Sequence, residues 1–387
     1  MTSIAKKITA LAAILFISAE LFARRVSFEG FSGTVFIDLP EEFALVQSQG
    51  ENSFLLQSKI APVSSIVRIY ESGKFISAQE ALESSMQKLG LKTLGIKAAE
   101  WRNSTACVAM FKGEISGAES QGYAAASVIP ENKSIALLVS WCSEEYFKNC
   151  FFLIESFIDS LCIDSESCFS PGLFTSLYHP SSGKNEPVKL LIGKKEISSQ
   201  IDSLDCENSE YLVEREYQVL KMYMNSPLWK EAWQRYYRMI FKDSCGRLQK
   251  VSFDIYETLA PECDDETDFA QKLLTWTQGF KYEREKNASD FASLPSIISS
   301  SGGGSDCDSR AMMIAVILQS LNIDSIIFVS SEFHHAVAGL TSTHPGFSFT
   351  AGDKKYLTGE TTVPGLTWGI IDKSQSDFSK WIPVMLP

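Results

Sequence analysis

Residues 301–310 read Ser-Gly-Gly-Gly-Ser-Asp-Cys-Asp-Ser-Arg, and an apolar run, Ala311–Leu321, follows at once. The glycines predict a flexible turn, and the run predicts a buried helix whose first turn contains Cys307. The first N–H groups of a helix lack intrahelical partners, and together with the helix dipole they favour a thiolate over a thiol. This pattern predicts that Cys307 is a nucleophile. The alternative is a small buried or disulfide-bonded cysteine.

Histidines are the candidate bases for this thiol, and the chain has only four. His334 and His335 precede a short apolar run that predicts a strand. Because side chains alternate between the two faces of a strand, only one of this pair can face Cys307. His344 stands in a predicted turn and His179 in a predicted linker, so neither is a candidate base.

The composition indicates a globular protein and argues against nucleic acid as a partner. The 387 residues are 45% hydrophobic and carry a formal net charge of −12. Contacts with phosphates need clustered Lys and Arg, and the chain has no basic stripe. The glycine-rich segment 299–304 lacks the Gly-Lys-Ser/Thr ending of a phosphate-binding loop, so nucleotide binding is not predicted. No Cys/His spacing resembles a zinc site, and we expect neither a metal nor a cofactor.

Residues 1–23 have the pattern of a cleaved signal peptide. Lys6 and Lys7 precede an apolar run, Ile8–Phe16, and small residues up to Ala23 offer a cleavage site. The run is short for a membrane span of about 20 residues, and an uncleaved anchor is the alternative. We therefore expect an exported protein that is periplasmic or extracellular.

The nine cysteines matter because an exported protein meets an oxidising compartment. Setting Cys307 aside leaves an even number that could pair, and their irregular spacing assigns no pairs. One alternative is therefore an envelope protein held by disulfides in which Cys307 itself is bonded.

Residues 26–165 are predicted to form one α+β domain with a sandwich-like arrangement of helices and strands. Ser77 and Glu80 have the spacing of a capping box, which predicts a helix over residues 78–89. An apolar stripe predicts a second helix over Glu144–Cys162. Alternating or continuous apolar segments predict strands at 26–31, 34–39, 54–56, 65–70, 105–111, 122–128 and 135–141.

Residues 36–43 read Phe-Ile-Asp-Leu-Pro-Glu-Glu-Phe. This segment and the order of strands and helices resemble small domains related to the photosystem protein PsbP and the nuclear import factor Mog1. Because this half shows no recognisable site, we expect a scaffold or recognition domain, for example one that contacts a component of the cell envelope. This half of the sequence carries no recognisable carboxylate pair, metal cluster or phosphate loop.

The composition changes over residues 166–186, where Ser, Pro, Gly and Asn are frequent, and this predicts a linker. Beyond it, Pro227 predicts the start of a helix that ends near Phe241. Thr267 is predicted to cap a further helix, Asp268–Gln278.

Four motifs follow one another in the block 187–387. They are, in order, Trp276–Tyr282, Asp306–Ala311, His335–Gly339 and Tyr356–Thr362. They resemble the transglutaminase-like superfamily of cysteine enzymes, in which a Gly-Asp-Cys turn enters a buried helix and strands with a His and an acid follow. The resemblance implies a C-terminal domain with a papain-like fold beside the N-terminal sandwich-like domain.

The resemblance assigns a catalytic triad to Cys307, His335 and Glu360. His335 is preferred over His334 because a glycine follows it by four residues, as in the family. Glu360 stands where most members have Asp, and it would accept a hydrogen bond from the Nδ1–H of the base. Asp353 is the alternative acid, in a predicted turn.

Two further features concern the reaction itself. The backbone N–H of Cys307 is one candidate oxyanion donor, and Gln278 is a second. Asp306 and Asp308 flank the thiol, and nearby negative charge raises the pKa of a thiol. Because the family has both acids, we expect their side chains to point away from the sulfur and to cap the helix.

These residues support the hypothesis of an exported cysteine enzyme that transfers an acyl group of a protein or peptide through a thioester at Cys307. Hydrolysis by a peptidase or amidase is favoured over cross-linking, because bacterial-type members with this pattern are often hydrolytic. The second hypothesis is a non-catalytic envelope binding or scaffold protein that keeps the fold. Ser305 in place of Gly, the doubled histidine, and Glu in place of Asp favour this second hypothesis.

Overall fold

Helices and strands both contribute extensively to the fold, which confirms the predicted α+β class. The predicted signal peptide lies outside the described residues. Within the described part of the chain, no helix combines the length and the apolar character needed to cross a membrane. The computed structural model describes residues 25–28, 31, 33–50, 52–284 and 288–387.

The first part of the chain is built mainly from strands, with helices between them. The strands are β1 (Arg25–Ser27), β2 (Phe36–Asp38), β3 (Phe43–Ser48), β4 (Ser53–Ser58), β5 (Ser64–Tyr70), β6 (Lys92–Trp101), β7 (Ser104–Ile115), β8 (Ala118–Val128), β9 (Ile135–Ser143) and β10 (Leu161–Cys162). The long helices are α1 (Ala78–Lys88) and α2 (Phe147–Asp159).

The largest sheet is antiparallel and has the strand order β3-β4-β5-β9-β8-β7-β6. Side chains of a strand point alternately to the two faces, and a helix covers each face here. On β9, Ile135, Leu137 and Val139 pack in the apolar cluster of α1. Ala136 and Leu138 pack in the cluster of α2. Because both faces are buried, the central strands read as nearly continuous apolar runs.

Residues 166–186 are not the free linker that their composition predicts. They pass through a 3₁₀ helix, Ser165–Phe169, and continue into α3 (Leu173–Tyr178). The apolar side chains of α3 are buried in the same cluster as α2, namely Leu173, Phe174 and Leu177. The turn-forming residues are frequent here because the chain reverses between short elements, while these three side chains anchor it.

The rest of the chain contains longer helices and two further sheets. Its helices are α4 (Asp205–Lys221), α5 (Trp229–Leu259), α6 (Glu266–Gln278), α7 (Leu294–Ser299) and α8 (Cys307–Gln319). Its strands are β11 (Asn185–Ile192), β12 (Lys195–Asp202), β13 (Ser325–Ser330), β14 (His335–Thr341), β15 (Ser348–Ala351), β16 (Lys354–Gly359) and β17 (Ile382–Val384).

Helix α8 packs against the C-terminal sheet, which has the antiparallel order β15-β16-β14-β13-β17. One apolar cluster contains the side chains 311–318 of α8 together with Ile327, Ala336 and Ala338 of the sheet. The same cluster includes residues of α5 and α6, so α8 is buried around its whole circumference. This burial explains the unbroken apolar run, because an ordinary surface helix would show a polar face.

A network of buried charges joins α2, α4 and α5. Arg215 of α4 lies 2.7 Å from Asp159 of α2 and 2.7 Å from its own neighbour Glu216. Arg235 of α5 lies 3.1 Å from Glu216. These side chains are at most 2% exposed. Because a buried charge is costly unless it is paired, each ion here depends on its partners.

Glu41 lies near this network and makes the stability depend on pH. Burial raises the pKa of its carboxyl from 4.5 to about 7, although Arg235 and Arg238 oppose the rise. Between these two values the unfolded chain has lost the proton while the native protein still holds it. The contribution of Glu41 to the free energy of unfolding is therefore fully present below the pKa that it has in the unfolded chain. This contribution is lost as the pH rises through the pKa that it has in the folded protein.

We expect the free energy of unfolding to fall by about 3 kcal/mol between pH 4.5 and pH 8 because of Glu41. Glu41→Gln stays neutral at every pH and removes this part of the slope. Glu145→Gln, at an exposed position, is the matched control and leaves the slope unchanged. Urea unfolding at several pH values gives the free energy of unfolding of all three proteins. If this free energy changed with pH equally in wild type and Glu41→Gln, the pH dependence would not come from Glu41.

Candidate active site

Cys307 is the first residue of α8, and a reciprocal cap holds this helix start. The hydroxyl of Ser309 donates to Asp306 Oδ1 at 2.8 Å, and the N–H of Asp306 donates to Ser309 Oγ at 3.0 Å. This capping box fixes the backbone on both sides of the cysteine. The capping role expected of Asp306 is confirmed.

The glycine-rich loop before Cys307 packs against the chain that leaves α6. Gly302 has a φ of +91°, in the left-handed region, and an added Cβ would lie 2.5 Å from the ring of Phe280. Further along, Ser305 forms a parallel bridge with Tyr282, and the N–H of Glu283 donates to its carbonyl at 3.0 Å. The position of the nucleophile therefore depends on the end of α6 as well as on the loop.

We expect Gly302→Ala to lower the free energy of unfolding by about 2 kcal/mol, because alanine is strained at this φ and meets Phe280. Gly303→Ala is the matched control. It lies next in the loop, lacks a positive φ, and its Cβ would meet Ser300 at 3.3 Å. Denaturant unfolding compares the two variants, and equal losses of stability would show that the close contact with Phe280 is unimportant.

The thiol of Cys307 is only 6% exposed, and this decides its protonation. Burial, together with the charges of Asp308 and Asp306, raises its pKa to about 12. Burial and the two aspartates therefore oppose the thiolate form that the helix start was expected to favour. The backbone N–H of Ala336 bonds to the sulfur and acts to lower the pKa. This contact places the sulfur beside the start of β14.

Asp308 points towards α5. The hydroxyl of Tyr237 donates to its Oδ2 at 2.8 Å, and the N–H of Ser309 donates to its Oδ1 at 2.9 Å. Burial raises the pKa of Asp308 well above its usual value, and Asp306 raises it further. An acid with a raised pKa keeps its proton to a higher pH, so it brings less negative charge to the thiol.

His335 and Glu360 come together at the ends of two neighbouring strands, β14 and β16. His335 Nε2 lies 2.7 Å from Glu360 Oε2. Thr362 donates its N–H and its hydroxyl to the other oxygen, Glu360 Oε1, at 2.8 and 2.6 Å. Burial acts to raise the pKa of Glu360, but the hydrogen bonds from His335 and Thr362 bring it below its usual value. The carboxylate form is therefore favoured.

The bonded nitrogen of His335 differs from the one expected. The carboxylate contacts Nε2, and not Nδ1. When Nε2 carries the proton and donates it to Glu360, Nδ1 has the free lone pair and is the nitrogen that can accept a proton. The acid thus selects the tautomer of the base.

The alternative residues lie elsewhere. His334, the alternative base, is exposed in the turn before β14 and has a φ of +48°. It is not part of the strand, so the expected alternation with His335 does not apply. Asp353, the alternative acid, is exposed in the turn between β15 and β16. His344 bonds a surface carboxylate, and His179 stacks on a tyrosine ring.

Gln278 positions the loop that carries the acid. Its Nε2 donates to the carbonyls of Glu360 and Leu366 at 2.8 and 3.0 Å. Its Oε1 accepts the N–H of Gly365 at 3.1 Å, which fixes the orientation of the amide. Both amide hydrogens are used in these bonds, and in this arrangement neither is directed to an oxyanion.

Arg310 is a positioning residue that sequence reasoning missed. It is 1% exposed, although it carries a guanidinium. It donates to the carbonyl of Phe280 at 2.8 Å, to the carbonyl of Thr361 at 3.2 Å and to Ser305 Oγ at 3.0 Å. One side chain thus joins the end of α6, the glycine-rich loop and the Glu360 loop. The sequence signal that could have indicated this role is an arginine directly before the apolar run of a buried helix.

Comparison with known proteins was made at the level of sequence and of structure. No protein-family model matches the chain, and no curated protein matches it. Cyanobacterial PsbP (CyanoP) from Synechocystis sp. PCC 6803 is 11% identical over 33% of this chain and 85% of that chain, with a TM-score of 0.28. The Ran-binding protein Mog1p of Saccharomyces cerevisiae is 10% identical over 38% of this chain and 98% of that chain, with a TM-score of 0.27.

This chain is weakly similar in structure to PsbP and Mog1 domains. A protein of Bacteroides thetaiotaomicron is also similar, with 10% identity over 54% of this chain and 74% of that chain and a TM-score of 0.23. The resemblance of the C-terminal part to transglutaminase-like enzymes stays a prediction.

Proposed function

We propose that this protein is an exported cysteine enzyme of the transglutaminase-like type that forms a thioester at Cys307. The observation that carries the proposal is the 2.7 Å bond between His335 Nε2 and Glu360 Oε2. It lies next to Ala336, whose N–H contacts the Cys307 sulfur. A base held by a carboxylate and placed next to a cysteine at a helix start is the arrangement that nucleophilic catalysis needs.

The first half of the reaction forms the thioester. Because the pKa of Cys307 is raised to about 12, the thiol enters the reaction protonated. His335 takes this proton through Nδ1 while the sulfur attacks the acyl carbon, and Glu360 stabilises the imidazolium. The tetrahedral oxyanion accepts the backbone N–H of Cys307, which begins a helix and has no intrahelical partner. The C–N bond then breaks, and His335 gives its proton to the leaving amine.

The second half of the reaction removes the acyl group from sulfur. His335, now neutral, takes a proton from water or from an incoming amine as that molecule attacks the thioester carbon. The C–S bond breaks, and the thiol of Cys307 regains a proton from His335. Water makes the protein a peptidase or amidase, and an amine makes it a transglutaminase-type acyltransferase. We favour hydrolysis of a protein or peptide substrate, with the N-terminal part as a recognition unit for substrate or an envelope component.

Acylation of Cys307 tests this proposal directly. The reduced full-length protein is incubated with p-nitrophenyl acetate, and the tryptic peptide 287–310, in which Cys307 is the only cysteine, is analysed for a hydroxylamine-labile acetyl group. We expect a burst of nitrophenol and acetylation of this peptide, both lost in Cys307→Ala. Cys263→Ala is the matched control, because Cys263 is more exposed and lies outside the candidate site, four residues after the end of α5. A folded protein without acetylation at Cys307 would contradict the proposal.

The second candidate function is a non-catalytic binding or scaffold protein that retains this arrangement. The burial of Cys307 and its raised pKa favour it, because an inert buried thiol has these properties. In this case the bond between His335 and Glu360 holds β14 and β16 together and has no chemical task. Release of nitrophenol at equal rates by wild type and Cys307→Ala would support this candidate.

A further inference from the structure

Two cysteines that are distant in sequence from the candidate active site face each other. The sulfurs of Cys162, in β10, and Cys168, in the following 3₁₀ helix, are 3.9 Å apart. Both side chains are buried next to Phe36 in a small apolar cluster. All nine cysteines are free thiols in the structure, so this is a contact between two thiols.

The turn between these cysteines is held in the shape that brings the sulfurs together. Ser167 donates its N–H to Asp164 Oδ1 at 2.7 Å, and its hydroxyl accepts the N–H of Asp164 at 3.3 Å. These bonds belong to a capping box at the start of the 3₁₀ helix. The turn is therefore preorganised, and the sulfurs need to approach by roughly 2 Å to reach the S–S bond length of about 2.05 Å.

A buried cation lies beside the pair. Lys242 Nζ of α5 is 4.0 Å from Cys162 Sγ and donates to the carbonyl of Asp159 at 2.8 Å. A hydrogen bond from Cys162 and the charge of Lys242 lower the pKa of Cys168 to about 7, although burial opposes them. One sulfur is therefore available as a thiolate at neutral pH, as thiol–disulfide exchange requires.

We propose that Cys162 and Cys168 form an intramolecular disulfide that fastens β10 and the 3₁₀ helix in place. The oxidant is a low-molecular-weight disulfide. The Cys168 thiolate attacks one of its sulfurs, which forms a mixed disulfide and releases one thiolate that takes up a proton. Cys162 loses its proton and attacks the Cys168 sulfur, the bond to the external group breaks, and a second thiol leaves. Two protein thiols are oxidised by two electrons, and the external disulfide is reduced to two thiols.

The segment that this bond would hold connects two parts of the fold. Leu161 and Cys162 pair with β2. The ring of Phe169, one residue after Cys168, packs edge-on against Phe241 of α5 at 5.9 Å between centroids. Closing the loop restricts the unfolded chain, so the oxidised protein is expected to be more stable than the reduced protein.

Peptide mapping tests the pairing. The full-length protein is equilibrated with excess oxidised glutathione, its remaining thiols are alkylated, and it is cleaved after glutamate at acidic pH. Glu166 separates the two cysteines, so Cys162 lies in fragment 156–166 and Cys168 in fragment 167–186. We expect these two fragments to stay joined until a reductant is added.

The other outcomes of this experiment would overturn the proposal. They are alkylation of both cysteines, glutathione retained on Cys168 alone, or a bond from either cysteine to another fragment. Cys142 and Cys150 provide an internal comparison, because their thiols also share a hydrogen bond. They lie in fragments 132–144 and 146–155, so a bond between them is distinguished from the proposed one.

A stability measurement tests the fastening role separately. We expect the apparent Tm of the oxidised wild type to exceed that of the reduced wild type by roughly 3–6 °C. The double variant Cys162→Ser/Cys168→Ser is expected to lose this difference between oxidised and reduced samples, whatever its own Tm. A difference that persists in the double variant would show that another bond is responsible.

Discussion

Glu360→Gln will slow the reaction of Cys307 with iodoacetamide at pH 7 by about 100-fold, because it changes the tautomer of the base. Thr362 donates twice to Glu360 Oε1, so the amide oxygen of glutamine will occupy that position. The amide NH₂ then faces His335 Nε2, which must accept a hydrogen bond. The proton moves to Nδ1, and the nitrogen that should take the thiol proton is blocked.

The rate is measured by mass spectrometry on the tryptic peptide 287–310, whose only cysteine is Cys307. Glu360→Asp keeps the carboxylate and is expected to recover part of the rate, which a loss of folding would not allow. Glu332→Gln, in a surface pair with Lys380, is the control for a changed charge and leaves the rate unchanged. A wild-type rate in Glu360→Gln would remove His335 from the proposed mechanism.

Asp159→Asn will lower the free energy of unfolding by about 3 kcal/mol, because it leaves Arg215 buried with an incomplete set of partners. The carboxylate of Asp159 accepts from Arg215 Nη1 at 2.7 Å and from the N–H of Thr175 at 3.0 Å. Its Oδ2 also accepts the hydroxyl of Thr175. An asparagine has only one acceptor oxygen, so in either orientation its NH₂ faces a donor: the guanidinium and the hydroxyl, or the N–H of Thr175.

Glu196→Gln is the matched control for this prediction. Glu196 pairs with Lys189 at 2.7 Å, but the side chains are 63% and 73% exposed. Water solvates both charges there, so we expect no measurable change in stability. Urea unfolding followed by circular dichroism measures both variants, and equal effects would mean that burial does not determine the strength of these ion pairs.

The residues around the nucleophile were largely predictable because local rules determine them. Asp306 has the residue type and spacing of a helix cap, and Cys307 follows it as the first residue of α8. Glu360 and Thr362 are two residues apart, so their contact needs only a tight turn after a strand. The contact between Glu360 and His335 joins different strands, and it was accessible only through the family resemblance.

The roles of Gln278 and Arg310 were not predictable, because each depends on three segments that are distant in sequence. Gln278 holds the carbonyls of Glu360 and Leu366, and no local pattern marks this function. The sequence predicts Thr267 as the cap of α6, two residues after the residue that caps the helix in the structure. Asp265 caps the helix, while the hydroxyl of Thr267 bonds a serine on another segment.

Helix α5 is longer than the sequence predicts, and it contains a glycine. The helix was expected to end near Phe241, but it continues to Leu259 through Gly246. A Cβ at Gly246 would lie 2.5 Å from the ring of Pro171. Glycine is therefore needed for the close approach of another segment, although it is a poor helix former. That approach comes from residues 166–186, whose burial was also not predicted.

The buried charges between α2, α4 and α5 determine how the protein melts. The sequence predicts two domains. In the structure, however, Asp159 from the first part of the chain forms an ion pair with Arg215 from the second. Tyr223 of the second part also donates to the carbonyl of Glu41 in the first, at 2.8 Å. Separating the two parts would break the ion pair between Asp159 and Arg215 and leave each charge in an apolar environment. The polypeptide should therefore unfold in one cooperative calorimetric transition, and neither part should survive as an autonomous fragment after limited proteolysis.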